Sequence, residues 1–220
     1  MLELKNVSKI YARRGTEVRA ADNASFTVEN GELLAIQGPS GSGKSTLLLI
    51  MGAMLKPDRG TVLFNGTPLY KKSATLRNRI RRNHIGFLFQ RFFLIPYLSV
   101  KDNIRMPLRL RGDRAGENKI SDLAEQLGIT HRLDHRPFEL SVGEQQRAAL
   151  ARAIVAEPDL ILADEPTGNL DTENSEIIAD CLVRQSREGR TVIMVTHSTA
   201  LPEIATRRLH LADGKIVPAP

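Results

Sequence analysis

The chain has no tryptophan and one cysteine, and aromatics make up only 5% of it. A lone Cys181 cannot form an internal disulfide, and no Cys/His spacing fits a zinc site. Cys181 reads as an ordinary residue packed in a helix. So few aromatics argue against a platform that stacks single-stranded bases. No apolar run approaches the roughly 20 residues that span a bilayer; the longest, Leu47–Leu55, is far shorter. The opening Met1-Leu2-Glu3-Leu4 lacks the charged and apolar regions of a signal peptide, so a cytosolic location is expected. Internal repeats and low-complexity segments are also missing.

What is present is 220 residues, 41% of them hydrophobic, with a net charge of +6. That suits one α/β domain with room for a smaller subdomain. The densest basic segment holds Lys71, Lys72, Arg77, Arg79, Arg81 and Arg82. Nucleic acid or anionic lipid would be its pointed readings; a solvated helix face without a partner is the expected one.

The chain is organised around Gly38-Pro39-Ser40-Gly41-Ser42-Gly43-Lys44-Ser45-Thr46, between the apolar runs Leu33–Ile36 and Leu47–Leu55. A strand, a glycine loop and a helix in that order are what a phosphate-binding loop needs. The glycines let successive N–H groups turn inward, and the helix dipole adds positive potential. Lys44 can reach the β- and γ-phosphates and the Ser45 hydroxyl can ligate Mg²⁺.

Ahead of that loop, Leu2–Val7, Val18–Ala20 and Ser25–Val28 read as strands of a small antiparallel layer, with a loop around Arg13–Thr16 and a hairpin turn at Asn30-Gly31. The loop helix is expected over Lys44–Leu55, ended by Lys56–Gly60, then a strand at Thr61–Phe64 and a hairpin at Asn65-Gly66. A polar helix over Ser73–Arg82 leads to a strand at His84–Phe89. From Phe92 to Val155 the pattern is nearly all helical: a helix over Val100–Leu110 capped by Ser99, another over Glu117–Leu127, and a third opened by the capping box Ser141-Val-Gly-Glu144. The run Leu160–Ala163 reads as a strand buried on both faces. Thr172 is expected to cap a helix to Glu188, and Thr191–Val195 is a further buried strand. A short helix near Leu201–Ala205, a hairpin at Asp213-Gly214 and a frayed Pro218-Ala-Pro220 close the chain.

Four other stretches add chemistry at strand ends or helix starts. Asp164 and Glu165 end the strand Leu160–Ala163; beside a phosphate loop the first can hold Mg²⁺ and the second polarise the attacking water. Gln90 can ligate Mg²⁺ and hydrogen-bond a water. His197 can donate to a γ-phosphate. The helix start at Leu140–Arg147 is a second candidate anion site.

In this order the stretches resemble the nucleotide-binding subunit of ATP-binding-cassette (ABC) transporters over essentially the whole chain. Gly38–Ser45 is similar to its Walker A motif, Leu160–Glu165 to Walker B with the catalytic Glu, and Gln90 to the Q-loop. Leu140–Gln145 falls at the signature, Asn169-Leu170-Asp171 at the D-loop, His197 at the switch histidine and Tyr11 at the aromatic that stacks on adenine. Gly143–Arg147 and Ala163–Asp171 further resemble the branch of lipoprotein-releasing and macrolide-efflux exporters, which the cell-division ATPase also resembles. The family usually reads Leu-Ser-Gly-Gly-Gln at the signature; here Val142 and Glu144 stand at its third and fifth positions.

The resemblance implies a P-loop NTPase (RecA-like) α/β core over residues 1–91 and 156–220, with the antiparallel β layer at its start and a helical subdomain inserted at 92–155. It implies ATP and Mg²⁺ as cofactors and a head-to-tail dimer, of like subunits or paralogues. In each ATP site, Lys44, Ser45, Gln90, Asp164, Glu165 and His197 come from one subunit and Ser141 and Gly143 from the other; Glu144 and Asp171 count among the nucleotide-binding residues. An integral-membrane permease is the implied partner, met by Arg91–Pro96 at the inner face of the cell membrane, and no nucleic acid is expected. DNA-repair relatives would interrupt the head with a long coiled coil, translation factors would carry two cassettes, and a small-molecule kinase would lack Leu140–Gln145. A regulatory subunit that does not turn over is disfavoured by intact Lys44, Glu165 and His197.

Overall fold

The computed structural model of the chain describes residues 1–13, 16–71, 73–113, 116–168, 170–197 and 201–218. Arg14, Gly15, Lys72, Arg114, Ala115, Asn169, Ser198, Thr199, Ala200, Ala219 and Pro220 therefore lie outside the described residues, and with them parts of the first loop, the basic segment, the Asn-Leu-Asp stretch and the C-terminus. In chain order the strands are β1 (Leu2–Arg13), β2 (Thr16–Val28), β3 (Leu33–Gln37), β4 (Arg59–Phe64), β5 (Thr67–Pro68), β6 (Ile85–Leu88), β7 (Leu160–Asp164), β8 (Thr191–Thr196), β9 (Arg207–Ala212) and β10 (Lys215–Val217). The helices are α1 (Lys44–Met51), α2 (Ala74–His84), α3 (Val100–Arg111), α4 (Glu117–Gln126), α5 (Val142–Ile154) and α6 (Thr172–Arg187).

Four strands form an antiparallel sheet in the order β2-β1-β4-β5; six form a second in the order β10-β9-β3-β8-β7-β6. The second sheet is parallel except for the β9–β10 hairpin. Side chains alternate across it, as a strand's period of two requires. Leu34, Ile36, Leu162 and Ile193 face a cluster with α1 and the first sheet. Leu33, Ala35, Ile161, Ala163, Val192 and Met194 face another with α3, α4, α5 and α6. Both faces are covered, which is why β3, β7 and β8 read as unbroken apolar runs.

Among their described residues, 92–155 hold helices, 3-10 turns and connecting loops but no strand. They share one core with the sheet, and α5 lies directly on it. Its contact with β6 is so close that a Cβ at Gly86 would meet the Ala153 carbonyl.

Several expectations need correction. β2 runs unbroken through the two pieces expected there. The Asn30-Gly31 turn makes no hairpin; it carries the chain from the first sheet to the second, because β3 pairs with β8 and β9. α1 ends at Met51, with Gly52 at its cap and Ala53 at φ 58. Asp171, not Thr172, caps α6, its carboxylate accepting from Asn174 N–H at 2.8 Å. The Asn65-Gly66 turn does join two antiparallel strands, β4 and β5, at φ 46 and 73.

Candidate functional site

The phosphate loop leaves β3 and enters α1 through Gly43 at φ 102, where a Cβ would run into the Ala20 carbonyl of β2. Only glycine fits that backbone and that approach. Lys44 Nζ donates to the Gly38 and Pro39 carbonyls at 2.8 and 3.0 Å, which folds the side chain over the loop. Burial lowers its pKa, while the charges of Glu165 and Asp164 oppose that. A cavity of about 550 Å³ opens here. Ser40, Gly41, Gly43, Lys44, Ser45 and Thr46 form one wall; Gln90, Glu165, His197 and Tyr11 complete it. Ser42 is different: its hydroxyl is buried under the loop without a partner, and its N–H turns to the Pro39 carbonyl.

Tyr11 reaches the cavity from β1 and is 41% exposed. Lys9 Nζ sits 5.6 Å from its ring centroid, a cation–π contact that steadies the ring.

β7 ends at Asp164, and Glu165 follows it. Ser45 Oγ donates to Asp164 Oδ1 at 3.0 Å, linking the first turn of α1 to β7. Burial pushes the Asp164 carboxyl up from its usual range; the Ser45 hydroxyl draws it back and the Glu165 charge adds to the rise. These two oxygen donors fit Mg²⁺, which takes few protein ligands and fills its shell with water and phosphate oxygens. Glu165 is buried in the left-handed region at φ 47, outside the strand but hydrogen-bonded through its N–H to the Val195 carbonyl. Its Oε2 accepts from Thr196 Oγ1 at 3.0 Å and from His197 N–H at 3.3 Å, and its Oε1 lies 2.8 Å from His197 Nδ1. Left-handed backbone at a bulky residue is strained, and such strain is held at positions where the surroundings fix one orientation.

Ser141, Gly143, Glu144 and Asp171 do not line this cavity. Ser141 caps α5, accepting from Glu144 N–H at 3.3 Å while Glu144 Oε2 accepts from Ser141 N–H at 2.8 Å. Val142 is the first helical residue and is 49% exposed. The Glu144 carboxylate faces inward and also accepts from Arg132 Nε at 2.7 Å, so it positions the helix start and presents no charge at the surface. Burial raises its pKa, but Arg132 and the Ser141 N–H and hydroxyl prevail and hold it at about 2. A group depressed in the folded state stabilises above its unfolded pKa and loses that contribution as pH falls through the folded one. Glu144→Gln is therefore expected to cost about 1–2 kcal/mol at neutral pH. The gap to wild type should close as pH drops from about 4.5 toward 2. Urea melts of both proteins across that range measure it; a gap independent of pH would contradict it.

Sequence reasoning missed the residues that tie these parts together. Gln146, on α5, donates to the Pro166 carbonyl at 2.6 Å, just after Glu165. Arg147 donates to Asn174, which also donates to Asp171, and a Cβ at Gly143 would strike Asn174. The start of α5 and the start of α6 thus form one hydrogen-bonded surface. Arg152, near the end of α5, donates to the Phe92 and Phe93 carbonyls just beyond Gln90. No local pattern marks these side chains, because each acts on an element distant in sequence.

Comparison with known proteins adds a family and a fold. The ABC transporter family pattern matches residues 21–168. The chain is 44% identical over 218 residues to the macrolide export ATP-binding/permease protein MacB of Chlorobaculum tepidum, covering 99% of this chain and 34% of that protein. It is 42% identical over 219 residues to an ABC transporter ATP-binding protein of Escherichia coli, YbbA, covering 98% of this chain and 96% of that one. The chain thus spans about a third of MacB and nearly all of YbbA. Among solved structures, the dimeric bacterial ABC transporter cassette MJ0796 superposes with a TM-score of 0.93 at 36% identity over 99% of this chain and 97% of that one. A dimeric post-hydrolysis state of MJ0796 bound to ADP and Pi gives 0.91 at 36% identity over the same shares.

Proposed function

The chain belongs to the ABC transporter family, and from that membership we propose that it drives a separate membrane permease of an exporter by ATP-dependent closure of a dimer. As a cassette of this family it binds and hydrolyses ATP. The observation that carries the rest is the separation of two half-sites. The cavity holding Lys44, Ser45, Gln90, Glu165 and His197 has no contribution from Ser141 or Gly143. The capped, outward start of α5 offers the N–H groups that a helix leaves unpaired, and a second copy placed head to tail would bring them to the γ-phosphate.

In this reading the loop N–H groups and Lys44 hold the β- and γ-phosphates and stabilise the charge that spreads over the transferring group. Bound Mg²⁺, held by Ser45 and Asp164 with Gln90 nearby, would neutralise phosphate charge. Glu165, aimed by Thr196 and His197, accepts a proton from the attacking water, and His197 meets the γ-phosphate. Tyr11 stacks on the adenine. Asp171 and Asn174 support the partner-facing surface beside Gly143. ATP does work only because it binds the closed state better than the open one.

The fit to MacB, in which a cassette and a permease are joined by name, supports a membrane partner for this chain. No helix among the described residues is long and apolar enough to cross a membrane; in this reading the membrane partner holds the subunit at the inner face. Phe93 is 60% exposed, and Phe92, Leu94 and Ile95 are part-buried, as a docking segment would be. Co-purification from membranes with identification of the bound protein tests the proposal. Recovery of a permease supports it; purification free of membrane proteins, with turnover stimulated by DNA or RNA, would replace it with a nucleic-acid ATPase.

Val142→Gly should keep ATPase near wild type, because the side chain points to solvent and the N–H groups remain. Its cost should be about 1 kcal/mol of stability from backbone freedom. Steady-state turnover and a urea melt check both parts; a dead but folded variant would show that the Val142 side chain has a direct role.

A further inference from the structure

Gln146 stands on α5, yet what it touches is the turn that begins at Glu165. It is 2% exposed, and its Nε2 donates to the Pro166 carbonyl at 2.6 Å. A carbonyl partner fixes which end of the amide faces it, since only the NH₂ group can donate. The other end, Oε1, is buried with no partner. A buried amide with half its capacity unmet costs stability. A methionine of similar length would fill the same space without that cost, so filling space does not explain a glutamine here.

The turn needs the bond. A residue before proline is pushed toward extended backbone, yet Glu165 precedes Pro166 and lies at φ 47. That conformation has to be imposed by the surroundings. The Glu165 N–H is fixed on the Val195 carbonyl at 2.9 Å, and its carbonyl accepts from Gly168 N–H at 3.0 Å. Gln146 fixes the next carbonyl along. Without it the turn is free to relax toward the extended backbone that proline favours, which moves the Glu165 carboxylate off Thr196 and His197.

From these contacts we propose that Gln146 is a positioning residue for hydrolysis: its amide holds the Glu165–Pro166 turn so that the carboxylate of its own subunit points at the attacking water. This rests on the reading of Glu165 as the base and adds the residue that aims it. It also gives α5 duties in two different sites. Ser141 and Gly143 at its start face the partner's nucleotide, while Gln146, about one turn further on, serves the cavity of its own chain.

Gln146→Met and Gln146→Leu keep the bulk and remove the donor. Both should lower kcat about 10–100-fold, the scale of a misplaced reacting group. KM for ATP, and the ATP affinity of the single subunit, should stay within about twofold of wild type because the phosphate loop is untouched. Urea melts run alongside should show both variants folded under the assay conditions. Placed on Glu165→Gln, Gln146→Met should slow single-turnover hydrolysis no further, because its whole effect passes through the lost carboxylate. Wild-type kcat in a folded variant, or losses that multiply in the double variant, would overturn the positioning role; failure of both variants to fold would make Gln146 a structural tie only. Mixing separates the proposal from the shared-site reading. In a dimer of Gln146→Met with Lys44→Ala, the cavity with an intact loop belongs to the Gln146→Met copy, so turnover should stay at or below that of Gln146→Met alone. Return toward the wild-type rate would mean that Gln146 serves the partner's site and would overturn the proposal. Gly143→Asp mixed with Lys44→Ala is the control that should recover. No recovery there, with mixed dimers formed, would remove the head-to-tail dimer, while the kcat and double-variant results would still decide the role of Gln146.

Discussion

Glu165→Gln binds ATP and stops before hydrolysis, with turnover reduced about 10²–10⁴-fold, the loss that follows removal of a general base. The amide keeps the shape of the side chain, so Thr196 Oγ1 and His197 N–H, which donate to Oε2 in the native protein, still have an oxygen to meet. What disappears is the capacity to take a proton. Lys44, Ser45 and the loop are untouched, so the affinity for ATP is retained and the ATP-bound dimer has no exit. Size-exclusion chromatography with ATP and Mg²⁺ should show the variant as a dimer under conditions where wild type is monomeric after turnover. Hydrolysis at the wild-type rate would place the base elsewhere.

Gly143→Asp should lose at least about 10²-fold in turnover, the scale seen when a preorganised donor to a developing anion is removed. Two physical causes act together. In the proposed dimer the new carboxylate faces the partner's γ-phosphate. Within the subunit the Cβ itself would meet the Asn174 side chain, which Asp171 and Arg147 hold in place. Gly143→Ala separates the causes, since it adds the contact without the charge. Combined with Asn174→Gly, which clears the space, Gly143→Ala should regain most of its activity, whereas Gly143→Asp should not. ATP binding by each single subunit should be unchanged, because Gly143 does not line the cavity. Recovery of Gly143→Asp by Asn174→Gly would make the effect internal packing alone.

Local chemistry was legible where the cause is local. Ser99 and Ser141 announce helix starts because a hydroxyl satisfies a free N–H within three residues. The glycine loop is legible because its backbone demands those residues. β3, β7 and β8 are legible because both faces of the sheet are covered. The Asn30-Gly31 turn was misread because turn residues set the bend, while the pairing of the next strand is decided by β8 and β9, far along the chain. The end of α1 was misplaced because apolar Ala53–Leu55 continue the pattern after the backbone has left the helix. The helix-start motif around Ser141 was visible, yet the inward turn of Glu144 depends on Arg132, and the bond from Gln146 to Pro166 depends on how α5 lies over the sheet.

The central claim, that each ATP site is shared between two copies, is tested most directly by mixing two dead variants. Lys44→Ala damages the phosphate loop and Gly143→Asp damages the start of α5. If sites are shared head to tail, a mixed dimer holds one site carrying both lesions and one site carrying neither. ATPase should then reappear on mixing, at a rate that follows the fraction of mixed dimers, while each variant alone stays at background. A mixture that remains at background, with mixed dimers shown to form, would mean that each subunit builds its site from its own residues and would contradict the account.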